Sequence, residues 1–136
     1  MSFLDRLGRI AVAAPFVWLG AEAAADPGIR VKLAVDLGVP EALADKAVRF
    51  NGAAMVAGGL GVATGILPRA AALGLVGSMV PTTLAGHAYW KDTDPMARKM
   101  NRIHLLKNVG LVGAALVVAA AAGRRGADGA RPGQED

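Results

Sequence analysis

A few polar side chains interrupt the apolar stretches of this 136-residue chain, and their types and spacing indicate binding chemistry. His104, Lys107 and Asn108 stand at positions i, i+3 and i+4, so a helix presents all three on one face. Imidazole, ammonium and amide groups donate hydrogen bonds to the oxygens of a small ligand. The candidate residues for one polar pocket are Glu22, Asn51, His87, Trp90, His104, Lys107 and Asn108. None of them forms a catalytic motif, so the sequence predicts a binding site and names no catalytic residue.

Each of these residues also has a structural explanation. Lys107 can extend its long side chain to the lipid headgroups, or it can form a buried ion pair with Glu22. His87, next to Tyr89 and Trp90, fits an aromatic belt at a membrane interface. Two histidines without a spacing motif are weak candidates for haem or metal ligation, so no metal site is predicted.

The composition is that of a membrane protein. Apolar residues make up 54% of the chain, there are 18 glycines, and charged residues reach only 19%, against about 25% in soluble domains. Residues 70–90 contain no Asp, Glu, Lys or Arg. As a helix this stretch is roughly 31 Å long, the thickness of the hydrocarbon core of a bilayer. An ordinary soluble domain of this size cannot bury so much apolar surface.

Charge and cysteine content exclude further classes. The net charge of +4 comes from small groups of Arg and Lys between apolar blocks, not from a basic stripe, so no nucleic-acid partner is expected. Because the chain has no cysteine, it forms no disulfide and no Cys-ligated iron–sulfur cluster. A redox role therefore depends on an organic cofactor, a haem with other ligands, or a partner protein.

The apolar blocks predict an all-α fold, a four-transmembrane-helix up-and-down bundle in a single domain over residues 1–125. Without sustained period-2 alternation, the blocks are helices, since open sheet edges are not tolerated in lipid. The predicted spans are residues 10–25, 52–67, 70–90 and 103–123, and residues 126–136 form a polar, disordered tail. Alternating helix directions place the polar residues above in one leaflet.

Two amphipathic extensions and one packing motif complete the prediction. Pro40 and Glu41 suit the start of a helix that continues into the second span, and Asp94 and Pro95 suit a start before the fourth. The GxxxG sequence at residues 61–65 is typical of close helix packing in membranes. An alternative for residues 1–23 is a cleaved signal peptide, although Asp5 and Glu22 argue against it.

Several motifs between residues 51 and 119 resemble those of the DoxX-like family of small bacterial membrane proteins. The matching pieces are Asn51-Gly52, Leu67-Pro68-Arg69, Gly86-His87-Ala-Tyr-Trp90, and Lys107-Asn108 followed by Gly110 and Gly113. The resemblance implies a four-helix bundle in the bacterial plasma membrane with both termini in the cytoplasm; charges in the loops do not decide orientation. It also implies an association with quinone-linked sulfur oxidation and oxidative-stress complexes.

The leading functional hypothesis is an accessory or quinone-interacting subunit of a membrane redox system. Its expected partners are the lipid bilayer and a soluble or membrane oxidoreductase. The residues do not name a cofactor: a quinone is a candidate, and no metal or iron–sulfur cluster is expected. Two alternatives remain open: a structural or assembly factor without chemistry, and a small transporter in which Glu22 and Lys107 form a proton-coupled pair.

Overall fold

Helices form every regular element in residues 2–129, the part of the chain that the structure, a computed structural model, describes; side chains are described to residue 124. The elements in chain order are α1 (Phe3–Ala25), α2 (Arg30–Asp36), α3 (Glu41–Thr64), α4 (Pro68–Gly86), a 3-10 turn (Tyr89–Lys91) and α5 (Pro95–Gly129). The predicted all-α class is therefore confirmed.

The tightest packing in the molecule joins α1 and α3, which run antiparallel. Gly20 of α1 faces Gly52 of α3, and a Cβ atom placed on Gly52 would lie 2.6 Å from the carbonyl oxygen of Gly20. About two turns further along α3, a Cβ on Gly59 would lie 2.7 Å from a methyl group of Val17. The two backbones approach this closely only because neither glycine carries a side chain.

Two arginines fasten the ends of this helix pair. Arg9 of α1 is 3% exposed, donates a hydrogen bond of 3.4 Å to the carbonyl oxygen of Val62 near the end of α3, and pairs with Asp5 at 3.3 Å. At the other end, Arg49 of α3 donates to the carbonyl oxygens of the last two residues of α1, at 2.7 and 2.9 Å. Each cation therefore caps the C-terminal carbonyl groups of the neighbouring helix, where the helix dipole favours positive charge.

The other long helices complete a bundle in which sequence neighbours run antiparallel. On the opposite side of α3, Gly58 and Gly61 face α4, where Leu75 and Ala71 are their nearest neighbours. Helix α5 lies against α4 and scarcely touches α1. All four long helices contribute to one buried apolar cluster, which is Ala13, Phe16, Val62, Ala72, Leu75, Met79, Ala115 and Ala119.

Both amphipathic helix extensions are present. Pro40 is the N-cap of α3, which begins at Glu41 and continues through the second apolar block. Asp94 accepts a hydrogen bond of 2.7 Å from the backbone N–H of Ala97, so its carboxylate caps the first turn of α5, which begins at Pro95. A side-chain cap therefore marks the start of α5, whereas α3 begins after Pro40 without a side-chain cap hydrogen bond.

The structure corrects the predicted ends of three blocks. Helix α3 stops at Thr64, because Gly65 adopts a left-handed φ of 80° and ends the helix. Gly65 therefore does not pack as half of a GxxxG motif. Helix α4 ends at Gly86 instead of Trp90, and His87 leaves the helical conformation with a φ of −132°. Helix α5 continues to Gly129, into the tail expected to be disordered, and residues 130–136 lie outside the described residues.

Two helices are long and apolar enough to cross a membrane by length and composition. They are α1 and residues 95–124 of α5. Helix α3 begins with an amphipathic segment that includes Glu41, Asp45, Lys46 and Arg49, and α4 has 19 residues.

Candidate ligand-binding cavity

A cavity of about 610 Å³ opens at the end of the bundle where α1 and α4 finish and α3 begins. Its wall is mainly aliphatic and includes Leu19 of α1, Leu33 of α2, Val48 and Met55 of α3, and Ala85 of α4. Ligand sites for small organic molecules have volumes of roughly 300–1,000 Å³ and a mostly apolar lining. The size and lining therefore suit a small hydrophobic molecule.

Asn51 contributes an amide to the wall of this cavity on the α3 side. Its Oδ1 accepts a hydrogen bond of 2.8 Å from the hydroxyl of Ser78 on α4. Its Nδ2 lies 3.6 Å from the sulfur of Met55, a weak acceptor. The amide is therefore held in one orientation across the α3–α4 interface and keeps donor capacity for a ligand.

His87 lines the cavity just beyond the end of α4 and begins a chain of polar contacts. Its Nδ1 lies 3.3 Å from Oδ1 of Asn101 on α5, and Nδ2 of Asn101 donates a hydrogen bond of 2.9 Å to Asp92. The His87 ring also stacks on that of His104, with 5.0 Å between the ring centroids. The imidazole is thus fixed by α5 and by the loop before it.

Asn108 is the third amide or imidazole group of the cavity wall. Its Nδ2 donates a hydrogen bond of 3.0 Å to the hydroxyl of Thr83, which ties α5 to α4. Three of the residues predicted for the site, Asn51, His87 and Asn108, are therefore brought to one cavity by three different parts of the chain.

The remaining predicted residues lie elsewhere. Glu22 is exposed and contacts Arg30 of α2, with 3.7 Å between the charged groups, while the indole N–H of Trp18 donates to it at 3.0 Å. Lys107 is exposed on α5. The alternative in which Lys107 forms an ion pair with Glu22 is therefore not realised, because α1 and α5 scarcely meet and Arg30 of α2 supplies the cation instead.

His104 and Trp90 do not line the cavity, although each contacts another aromatic ring near it. His104 contacts His87 by ring stacking. Trp90 is half exposed, and its ring is nearly perpendicular to that of Tyr89, with 5.4 Å between the ring centroids. Within the part of the chain that the structure describes, no group of three or more His, Asp or Glu side chains is placed to hold a metal ion.

Helix α2 is the part of the cavity that the apolar blocks of the sequence do not predict. It lies in the connector 26–39, and Ile29, Leu33 and Leu37 all line the cavity. These three apolar residues recur every four positions, which is the spacing of one helix face. That pattern was the available signal, but the helix is only seven residues long and follows the helix breakers Pro27 and Gly28.

Comparison with known families decides the identity of the bundle. The family model described as DoxX matches residues 4–88, which is more than half of the chain. The chain belongs to the DoxX family. The match covers α1 to α4 of this DoxX protein and ends just after His87, so Asn101 and Asn108 of α5 lie outside it. No curated protein and no solved structure matches the chain.

Proposed function

We propose that this DoxX protein is a four-span subunit of the bacterial plasma membrane that binds a quinone in the cavity described above. In this role it serves as an accessory component of a membrane redox system. The observation that carries the proposal is the cavity itself, in which an aliphatic wall of ligand size holds amide and imidazole groups from three elements.

The membrane arrangement is supported by the outward faces of all four long helices. Large apolar side chains are exposed on each: Trp18 is 72% exposed on α1, Leu60 51% on α3, Leu84 49% on α4 and Val117 67% on α5. A soluble protein seldom exposes apolar surface on every side, whereas lipid stabilises it. With 19 residues, α4 is about 28 Å long, enough to cross the hydrocarbon core.

Four spans place both termini on one side of the membrane, and the family resemblance makes that side the cytoplasm. Reporter fusions after Gly38, Arg69, Asp92 and Arg125 test this arrangement. They should alternate between the two sides of the membrane. A fusion at Gly38 that reports the same side as one at Arg69 would contradict four spans.

The chemistry of a quinone fits the distribution of groups in the cavity. A quinone has a flat ring with oxygens at opposite ends and an apolar tail. The Asn51 amide can donate to one ring oxygen, while Leu19, Leu33 and Val48 offer aliphatic surface to the ring and tail. Because the chain lacks cysteine, it has no Cys-ligated cluster, and an oxidoreductase partner would exchange electrons with the bound quinone.

Binding of a short-chain ubiquinone analogue to the protein purified in native lipid tests the proposal. Ala47 lines the cavity, and Ala53 is exposed on the same helix, so Ala47→Phe and Ala53→Phe form a matched pair. Filling the cavity with Ala47→Phe should abolish binding, whereas Ala53→Phe should leave it intact. Thermal melting of both variants checks that they are folded.

The outcome also separates the competing functions. Equal binding to both variants would place the quinone outside this cavity. The protein would be a structural factor if the wild type retains no small molecule and binds no quinone, yet is needed for assembly of a redox complex. Copurification with an oxidoreductase, detected after crosslinking in membranes, tests the accessory role.

A further inference from the structure

We infer that the cavity selects a ligand with a ring hydroxyl, the reduced quinol form, because Asp92 and Asn101 hold His87 as a hydrogen-bond acceptor. This inference rests on the proposed function, since it concerns the same cavity. It goes beyond the proposed function by specifying the redox state of the ligand. It also assigns a positioning role to Asp92 and Asn101, which lie outside the cavity wall.

The direction of the hydrogen bonds follows from the chemistry of the three groups. An ionised carboxylate only accepts hydrogen bonds, so Asn101 must present its NH2 group to Asp92, at 2.9 Å. The carbonyl oxygen of Asn101 then faces His87, at 3.3 Å from Nδ1. Because a carbonyl oxygen also only accepts, Nδ1 of His87 must carry the proton.

A neutral imidazole with a proton on Nδ1 has a lone pair on Nε2. Nε2 of His87 has no hydrogen-bond partner among the described residues, so it is the ring nitrogen left for a ligand. A quinol hydroxyl can donate to this lone pair. A quinone carbonyl only accepts hydrogen bonds, so its oxygen would face the nitrogen lone pair without a proton between them.

The α3 side of the cavity supplies the complementary group. One hydrogen of the Asn51 amide points to the Met55 sulfur at 3.6 Å, and the second has no acceptor in the part of the chain that the structure describes. Asn51 is thus a donor, and His87 an acceptor. A quinol satisfies both, since one hydroxyl donates to His87 and the oxygen of the other accepts from Asn51, whereas a quinone satisfies Asn51 alone.

The two forms of one short-chain ubiquinone analogue provide the test, measured anaerobically at about pH 8, where an ordinary imidazole is neutral. The quinol should bind about tenfold more tightly than the quinone, which corresponds to the loss of one hydrogen bond. Equal affinity of the two forms, or tighter quinone binding, would overturn the inference and leave the proposed function standing. Binding of neither form would overturn both.

Asp92→Asn tests the positioning role. The new amide can donate to Asn101, which then rotates its own NH2 toward His87 and moves the imidazole proton to Nε2. The tenfold preference for the quinol should disappear or reverse. Asp94→Asn is the matched control, because it removes a neighbouring charge while asparagine caps α5 as well as aspartate does. A preference that persists in Asp92→Asn although the His87 proton has moved to Nε2 would overturn this role.

The imidazole proton is also directly observable by nitrogen-15 NMR of histidine-labelled wild-type protein. The chain has two histidines, and His104→Phe, which can retain the ring stack, assigns their signals. The His87 shifts should report a proton on Nδ1 in wild type and on Nε2 in Asp92→Asn. A wild-type proton on Nε2 would overturn the inference, whether or not the Asp92 variant folds.

Discussion

The α1–α3 and α4–α5 helix pairs are held together by different means. Between α1 and α3, glycines let the backbones touch, and arginines fasten both ends. On α4 and α5, Gly74, Gly77, Gly110 and Gly113 face open space away from the neighbouring helix. The two helices are joined by buried apolar side chains and by hydrogen bonds such as Asn108 to Thr83. Where the α1 and α3 backbones touch, there is no room for an added side chain. Between α4 and α5 the contacts are made by side chains, and one of these residues, Asn108, also lines the cavity.

This comparison predicts a fixed half and an adaptable half. At the glycine contacts of the fixed half, an added Cβ meets the backbone or a side chain of the other helix. In the adaptable half, a substitution changes a side-chain contact, and ligand binding responds more than stability does. Four substitutions, from the largest expected effect to the smallest, test that division.

Gly52→Ala should have the largest effect on stability. The added Cβ would lie 2.6 Å from the Gly20 carbonyl oxygen and 2.7 Å from the backbone nitrogen of Ala24, so the two helices must separate. We expect a loss of about 3 kcal/mol, at the upper end for an overpacked core, in thermal unfolding in detergent. The control is Gly113→Ala on α5, where a Cβ meets nothing within 4 Å. Equal losses in the two variants would break the comparison.

Arg9→Met should be the next most destabilising change. It removes a buried cation that caps α3 and pairs with Asp5, and charge-assisted hydrogen bonds contribute about 1.5–3 kcal/mol each. We expect a loss of about 2 kcal/mol in the same unfolding assay. Arg6→Met removes the same charge from an exposed position three residues earlier and should change stability little. A small effect of Arg9→Met would mean that the caps do not fasten the pair.

Asn108→Leu should lower stability only slightly and ligand binding more. Interhelical hydrogen bonds in membrane proteins contribute about 0.6 kcal/mol on average, so the loss of the Thr83 contact costs about that much. Quinol affinity should fall about fivefold because one polar group leaves the cavity wall. Its neighbour Lys107 is exposed and outside the wall, so Lys107→Gln should leave both quantities unchanged.

Glu22→Gln should have the smallest effect. The Glu22 side chain is 53% exposed, and the side chain of its partner Arg30 is 40% exposed. Because solvent screens this ion pair, it contributes less than about 0.5 kcal/mol to the free energy of unfolding. Unfolding temperature and quinol affinity should both stay within error. A large destabilisation would show that the contact between Glu22 and Arg30 is not screened by solvent.

The sequence predicts the elements of this molecule better than it predicts their contacts. Apolar blocks reveal the four long helices, and Pro40 and Asp94 reveal two of their starts. The end of α4 was missed because Tyr89 and Trp90 prolong an apolar block that is no longer helical. Apolarity alone therefore locates a segment without deciding where its helix ends.

The candidate site was predicted in part for a similar reason. Asn51, His87 and Asn108 line one cavity, since depth in the bundle can be estimated from residue numbers, and their role in binding stays a prediction. Glu22 and Lys107 are at similar distances from the ends of their helices, but Glu22 faces α2 and Lys107 is exposed on α5. Each residue turns a helix by about 100°, so a small error in helix rotation moves a side chain to another face. The same uncertainty hid the contact between Gly20 and Gly52.

The paired arginine caps have a consequence for how the length of this chain can vary. An extra residue between Arg9 and Gly20, or between Gly52 and Val62, would rotate everything beyond it by about 100° and shift it by 1.5 Å. The glycine contact and a cap at the far end could then no longer form together. Residues 26–40 join the two helices outside this register and carry no such constraint. We therefore expect insertions and deletions in the first half of the protein to be accommodated in that connector, outside the α2 residues that line the cavity, rather than in α1 or α3.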